Sequence, residues 1–423
     1  MKYRLEDKPE PKAFVLFGLQ WVSVILPSLV ILSALTSKLT SEDSGIQMAY
    51  LCKVFVLTGA GLIAQILWGH RLPVLIGPAT VLLIGIVSSS GASQEAVYTS
   101  IVLGGALLVL LSYLKLFDRV QKLFTRRVIV VILLLVSFTI MPLVVSLSLG
   151  SDGRPFGNFL YTLSLCAAIV VLNQILRGIW RSGAVLIAFI GGSLIYPLFF
   201  GGQAVNEAGE GAFDLSVLMN HLFITPEFDF SVFLAFLFCF MALLVNEAGS
   251  IRSVGTLIDA PDLEHRTRRG VRMTGFFNML AGVSGVIGAV DYSFSPGVIA
   301  SSRCASRYPL ILTGALLMVC PFVPGVIGWL TAIPSAVMGA VLLYVMSSQV
   351  SAGLQMLFKG ETQLSFNDGL VIGLPLMLAV LIAFAPESFS ESIPSLIRPI
   401  VGNGFVMGCL AVIALEHLLP RGD

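Results

Sequence analysis

The sequence predicts an all-α polytopic membrane protein of fourteen spans, seven in each half, with the second half inverted relative to the first. Three observations carry this. The composition is too apolar for a water-soluble fold, the positive charge gathers on one side of the expected spans, and one span in each half is interrupted at a matched place.

Of the 423 residues, 56% are hydrophobic and 12% charged, with a mean hydropathy of +0.93. A soluble chain of this length has no interior large enough to hide so much apolar surface. Runs such as Ala13–Leu35, Val128–Leu149 and Phe230–Val245 approach or exceed the length that crosses a hydrocarbon core. The net charge of +1 leaves no basic footprint for a nucleic-acid partner. Cys52, Cys166, Cys239, Cys304, Cys320 and Cys409 all lie in or beside apolar segments without metal-ligand spacing, and read as packing thiols. No GxxxxGK[ST] loop is present to draw on ATP, and no HExxH or GxSxG motif points to an enzyme.

The first twelve residues, MKYRLEDKPEPK, carry mixed charge with no cleavage site beyond, so they read as a retained cytosolic tail. A single integral domain then occupies 13–423. Its first repeat, about 13–200, holds apolar segments at 13–35, 48–69, 74–90, 95–114, 127–149, 158–176 and 182–200. An outer loop, 201–229, contains five acids and no Lys or Arg. The second repeat, about 230–418, continues with segments at 230–254, 272–289, 292–303, 309–331, 333–352, 369–385 and 399–417. With both termini cytoplasmic, nearly all of the 25 Lys and Arg fall inside; only Lys38, Arg154 and Arg398 lie outside, and Lys53 and Arg252 lie within spans. Such a bias orients the chain in an inner or plasma membrane.

Matched interruptions identify where ligands would bind. The third span begins RLPVLIGPATVLLIG and the tenth contains GVIGAVDYSFSPGVIAS. Each has an extended β-branched piece, then small or polar residues, then a proline followed by a helix-compatible run. Pro78 and Pro296 suit the first position of a half-helix, Ser295 can cap the second, and Gly77 permits a tight turn before the first. Unwound backbone at that depth is tolerated only where it lines a cavity or is buried in protein, and discontinuous spans mark the binding region of inverted-repeat transporters. Ala79, Thr80, Ser293, Ser295 and Gly297 lie at these breaks.

Ionisable groups inside spans are costly without partners, which makes Glu247 and Asp291 candidates for ion coupling. For Glu247 the alternative is a structural bridge to Arg252, at a five-residue spacing that suits one helix poorly. For Asp291 it is hydrogen bonding to backbone amides at the break. Asn246 offers donor and acceptor together and can read an amide edge or bond a neighbouring helix. Phe294 can stack on a planar ring or simply pack. Lys53 is expected to reach outward along its stem. His70 and His265 fall in cytosolic loops, His221 in the outer loop and His417 at the membrane edge, so none of the four forms a proton relay.

Residues 295–307, SPGVIASSRCASR, and 333–357, IPSAVMGAVLLYVMSSQVSAGLQML, resemble the nucleobase–cation symporter family of uracil and xanthine permeases, of which this chain reads as a divergent member. The resemblance rests on Ser295-x-Gly297-Val298, Ser302-Arg303, Ser306-Arg307 and Ile333-Pro334-Ser335-Ala336-Val337-Met338-Gly339-Ala340. It implies core and gate domains, short strands and half-helices in spans three and ten, and a homodimer. It further implies ion-coupled symport of a nucleobase or similar planar heterocycle, with a proton or sodium as coupling ion and no other cofactor. The family's eighth-span glutamate falls on Asn246, with Glu247 one place along, and one helical step turns a side chain by about 100°. The second family acid falls on Phe294, three residues after Asp291. The expected substrate-binding set is therefore Asn246, Glu247, Phe294, Ser295, Gly297, Ala79 and Thr80. The displaced acids leave open a sulfate-permease-like carrier of a small anion on the same architecture, held between half-helix ends, or an uncoupled facilitator.

Overall fold

A computed structural model describes the chain apart from residues 1, 42, 90, 115–124, 151–153, 178, 201–214, 294, 324–332, 359–364, 395–396 and 419–423. Its first half runs α1 (Pro11–Thr40), α2 (Ser44–Leu67), β1 (Ile76–Pro78), α3 (Thr80–Ser88), α4 (Gln94–Tyr113), α5 (Arg126–Thr139), α6 (Met141–Leu149), α7 (Pro155–Ile175) and α8 (Ala184–Phe200). The second runs α9 (Phe230–Leu257), α10 (Leu263–Val283), β2 (Ala289–Asp291), α11 (Ser295–Ser302), α12 (Pro309–Val319), α13 (Ser335–Phe358), α14 (Phe366–Ala383) and α15 (Gly404–Leu418). Every apolar segment expected from the sequence contains one of these elements. Among the described residues, eight helices are long and apolar enough to cross a membrane by length and composition. The expected fourteen full-length spans are not all seen as such, and the other segments differ in kind. Three helices are shorter, α10 opens with the charged run LEHRTRRG, and the third and tenth segments are strand plus half-helix.

The two interruptions meet. β1 and β2 pair antiparallel with Ile76 opposite Asp291, Gly77 opposite Val290 and Pro78 opposite Ala289. Beyond the strands, the Ala79 N–H donates to the Gly288 carbonyl at 2.9 Å and the Tyr292 N–H to the Leu75 carbonyl at 2.7 Å. Each broken span thus satisfies the backbone groups that the other exposes, as a dry interior demands. Two expectations change here. Pro78 ends the strand rather than opening the helix, which starts at Thr80. Ser295 fastens one break to the other: its hydroxyl donates to the Tyr292 carbonyl at 2.8 Å and accepts the Leu75 N–H at 3.1 Å.

The helices pack as two groups, one of α1–α4 with α9–α12 and both strands, the other of α5–α8 with α13–α15. Within the first, α4 lies along α10 and α2 along α12. Both contacts close on paired glycines. A Cβ on Gly105 would stand 2.6 Å from the Gly275 carbonyl oxygen, and one on Gly59 would stand 2.5 Å from that of Gly314. Where lipid removes the hydrophobic drive between helices, this close backbone approach is what holds them. Gly105→Leu is accordingly expected to lower the thermal midpoint in detergent, by overpacking of about 1–3 kcal/mol or more. An unchanged melt would show that the α4–α10 contact yields freely.

The N-terminal tail is not loose. Lys2 N–H donates to the Arg303 carbonyl at 2.7 Å, Ala305 N–H to Tyr3 at 3.0 Å and Arg307 N–H to Leu5 at 3.3 Å. Glu6 closes the strap with an ion pair to Arg307 at 2.8 Å and a hydrogen bond from Tyr308. The tail and the segment after α11 are therefore bound to each other.

Candidate functional site

Between the two helix groups, at the strand ends, lies a cavity of about 140 Å³. The first group lines it with Ser28 of α1, Thr80 of α3, Asn246 of α9 and the turn residues Tyr292 and Ser293. The second contributes an aliphatic wall including Ile132, Val136, Leu342 and Met346, with Ser348 and Gln349 at its margin. All the polar lining groups are neutral amides and hydroxyls. Thr80, the first residue of half-helix α3, brings that helix's N-terminal end to the cavity.

Of the residues singled out in the sequence, Asn246 and Thr80 reach this cavity, with Ser293 beside them. Gly297 opens on an adjoining cavity that shares Ser28, Val345 and Ser348 and carries Arg181 and Asn173. Ala79 is fully buried behind the strand pair, and Ser295 serves the fastening described above. Phe294 lies outside the described residues.

Glu247 faces the other way. It is fully buried, and one oxygen accepts the Thr274 hydroxyl while the other accepts the Asp291 N–H at 2.8 Å. Gln65 of α2 approaches the first oxygen at 3.5 Å and donates to Thr274 at 2.8 Å and to the Gly270 carbonyl at 3.0 Å. The helical step of about 100° thus separates two functions on α9: Asn246 towards the cavity, Glu247 towards the back of the strand. Around the same residue, Ser250 donates to the Asp291 carbonyl at 3.0 Å and Asn246 does so at 3.3 Å. Three side chains of one helix hold the backbone of Asp291 at both its polar groups.

The Asp291 carboxylate also points behind the strand, fully buried, and meets His70. Nε2 of His70 lies 3.3 Å from Oδ2 of Asp291, and Nδ1 accepts the Leu72 N–H at 2.9 Å. This corrects the placement of His70 in a cytosolic loop. The chain leaves α2, turns at Arg71 with φ of 57°, and re-enters as the extended piece of the third segment, carrying His70 inward to zero exposure. Gln65, His70 and Thr274 went unmarked in the sequence. The available signal was position: His70 immediately precedes a re-entrant segment, and Thr274 lies on a helix whose charged first turns hide an inward face. Lys53 reaches along its stem to the carbonyls of Ser284 and of His221 in the outer loop, at 2.6 and 2.9 Å.

Comparison with known proteins adds independent findings. The family model described as the Permease family, of xanthine/uracil permeases, matches residues 12–388. The chain is 27% identical over 424 residues to the candidate purine permease YwdJ of Bacillus subtilis, covering 95% of each. It is 24% identical over 415 residues to the xanthine permease of the same organism, covering 94% of this chain and 92% of that one. Among solved structures, the transmembrane domain of the cyanobacterial bicarbonate transporter BicA superposes with a TM-score of 0.63 at 15% identity, covering 92% and 97%. At that identity the likeness shows the fold alone.

Proposed function

The chain belongs to the Permease family, whose members are transporters, and from that premise we propose that it carries a nucleobase or similar planar heterocycle by ion-coupled symport and alternating access. The observation that carries the substrate class is the lining of the cavity. Facing aliphatic walls accept the faces of a flat ring, while Asn246, Thr80 and Ser293 offer neutral donors and acceptors to its edge. An inorganic anion makes no use of such walls, and the likeness to BicA is one of architecture. The purine and xanthine permeases among the relatives support the same reading.

In this proposal fourteen spans form two inverted repeats, with the strand-bearing group moving against the group of α5–α8 and α13–α15. The paired glycine contacts, α2 on α12 and α4 on α10, support it, because an inversion that exchanges the halves exchanges these two pairs. Both termini are cytoplasmic, as the cation bias suggests. The functional unit is a homodimer, which light scattering of the purified protein measures.

The test is uptake of labelled xanthine, uracil and sulfate into proteoliposomes, with and without an imposed proton or sodium gradient. Gradient-driven uptake of a base is the expected result, and sulfate uptake without base uptake would overturn the reading. Asn246→Ala is expected to raise the KM for the base. The loss of about 1–3 kcal/mol of hydrogen bonding corresponds to roughly 5- to 150-fold. An unchanged KM would remove Asn246 from the binding surface.

A further inference from the structure

We propose that the coupling proton is carried by the His70–Asp291 pair behind the strand, outside the substrate cavity, with the proton residing on the Asp291 carboxyl. This rests on the gradient-driven transport proposed above and assigns its ion site. Both Asp291 oxygens are buried without a well-aligned hydrogen bond among the described residues, although His70 Nε2 stands 3.3 Å from one of them and the Glu247 carboxyl faces the same side chain. The contact is close enough for an ion pair yet unaligned as a hydrogen bond, so it is poised rather than made.

The imidazole is fixed by its other nitrogen. Because Nδ1 accepts the Leu72 N–H, the hydrogen of the neutral ring sits on Nε2, facing Asp291. A second proton on the ring would set two N–H groups against each other at Nδ1. While that bond holds, the group free to take a proton is the carboxylate. Gly270 of α10 leaves room for the ring, since a Cβ there would lie 3.2 Å from the His70 Cβ.

The charged groups facing the pair are few. Glu247 of α9 holds the Asp291 N–H. Arg266 of α10 donates to the carbonyls of His70 and of Arg71, 3.0 and 3.1 Å away. Arg71 continues the chain from His70, and Arg269 of α10 donates to the Trp68 carbonyl.

Coupling follows from shared backbone. Asn246 touches both the cavity and the Asp291 carbonyl, so a base held by Asn246 and a proton held by the Asp291 side chain act on one residue. An ionised Asp291 in a dry interior is disfavoured by its lost hydration. The protonated form removes that charge and lets the strand-bearing group move.

The experiment is an infrared pH titration of the purified protein in nanodiscs, which needs no substrate. The expected result is a protonated-carboxyl band that is lost as the pH is raised. It should vanish in Asp291→Asn and persist in Glu247→Gln, with a midpoint displaced in His70→Leu and restored in His70→Gln. No such band in the wild type, or a band removed by Glu247→Gln instead, overturns the assignment. In proteoliposomes, Asp291→Asn should lose gradient-driven accumulation of labelled xanthine while still exchanging it. Retained accumulation overturns the assignment as well. Failure of the wild type to move any base would overturn the nucleobase reading, and the infrared result stands apart from it.

Discussion

Gly77→Val is expected to abolish transport while leaving a protein that inserts and purifies. A Cβ at Gly77 would lie 2.5 Å from the Tyr292 hydroxyl and 2.6 Å from the ring carbon that bears it. Tyr292 is 8% exposed and its hydroxyl lies 3.2 Å from the Pro78 carbonyl, so the ring covers β1 with little freedom. A displaced ring has the cavity that Tyr292 already lines to move into, where it would occupy the place of the ligand. Overpacking of about 2 kcal/mol costs roughly 30-fold in any equilibrium that must form the strand pair. The obstruction multiplies that loss. Initial rates of base uptake in proteoliposomes, beside a size-exclusion profile, measure it, and Gly77→Ala should fall between the two. Wild-type uptake by the valine variant would show that the strand pair is not held shut by Tyr292.

The second large effect is on stability. Glu247→Leu removes the acceptor of the Asp291 N–H and of the Thr274 hydroxyl in a fully buried place. Each buried polar group left without a partner costs about 1–3 kcal/mol, and the strand loses its attachment to α9. The thermal midpoint should fall by several degrees. Glu247→Gln keeps one acceptor oxygen and should lose far less. If the leucine variant melted normally and lost only affinity for the base, Glu247 would be a ligand of the substrate.

Much of the architecture was legible because it follows from local rules. Apolar length located the segments, and proline with small residues located both breaks, at 76–80 and 289–295. The site was legible only in outline. Asn246 and Glu247 are neighbours on one helix, and only the angular position of α9 against β2 decides which meets the cavity. That angle is a tertiary quantity absent from the local pattern. His70 was hidden for a related reason: its partner lies more than two hundred residues further on, and its charge and position alone matched a loop histidine. The proline at 78 shows the limit of propensity. It suits a helix start, but pairing with Ala289 made it the end of a strand.

The N-terminal strap has a consequence for how the protein is made. Glu6 and Arg307 are separated by 301 residues. At a synthesis rate of ~5–20 residues per second, the tail leaves the ribosome about 15–60 s before its partner segment exists. Throughout that interval most of the helices are already threading into the bilayer while the strap stays open. Its closure reports that the segment after α11 has been made and has reached the tail. A conformation-sensitive probe on Tyr3 would therefore time the arrival of the second broken span during translation, without any label inside the membrane.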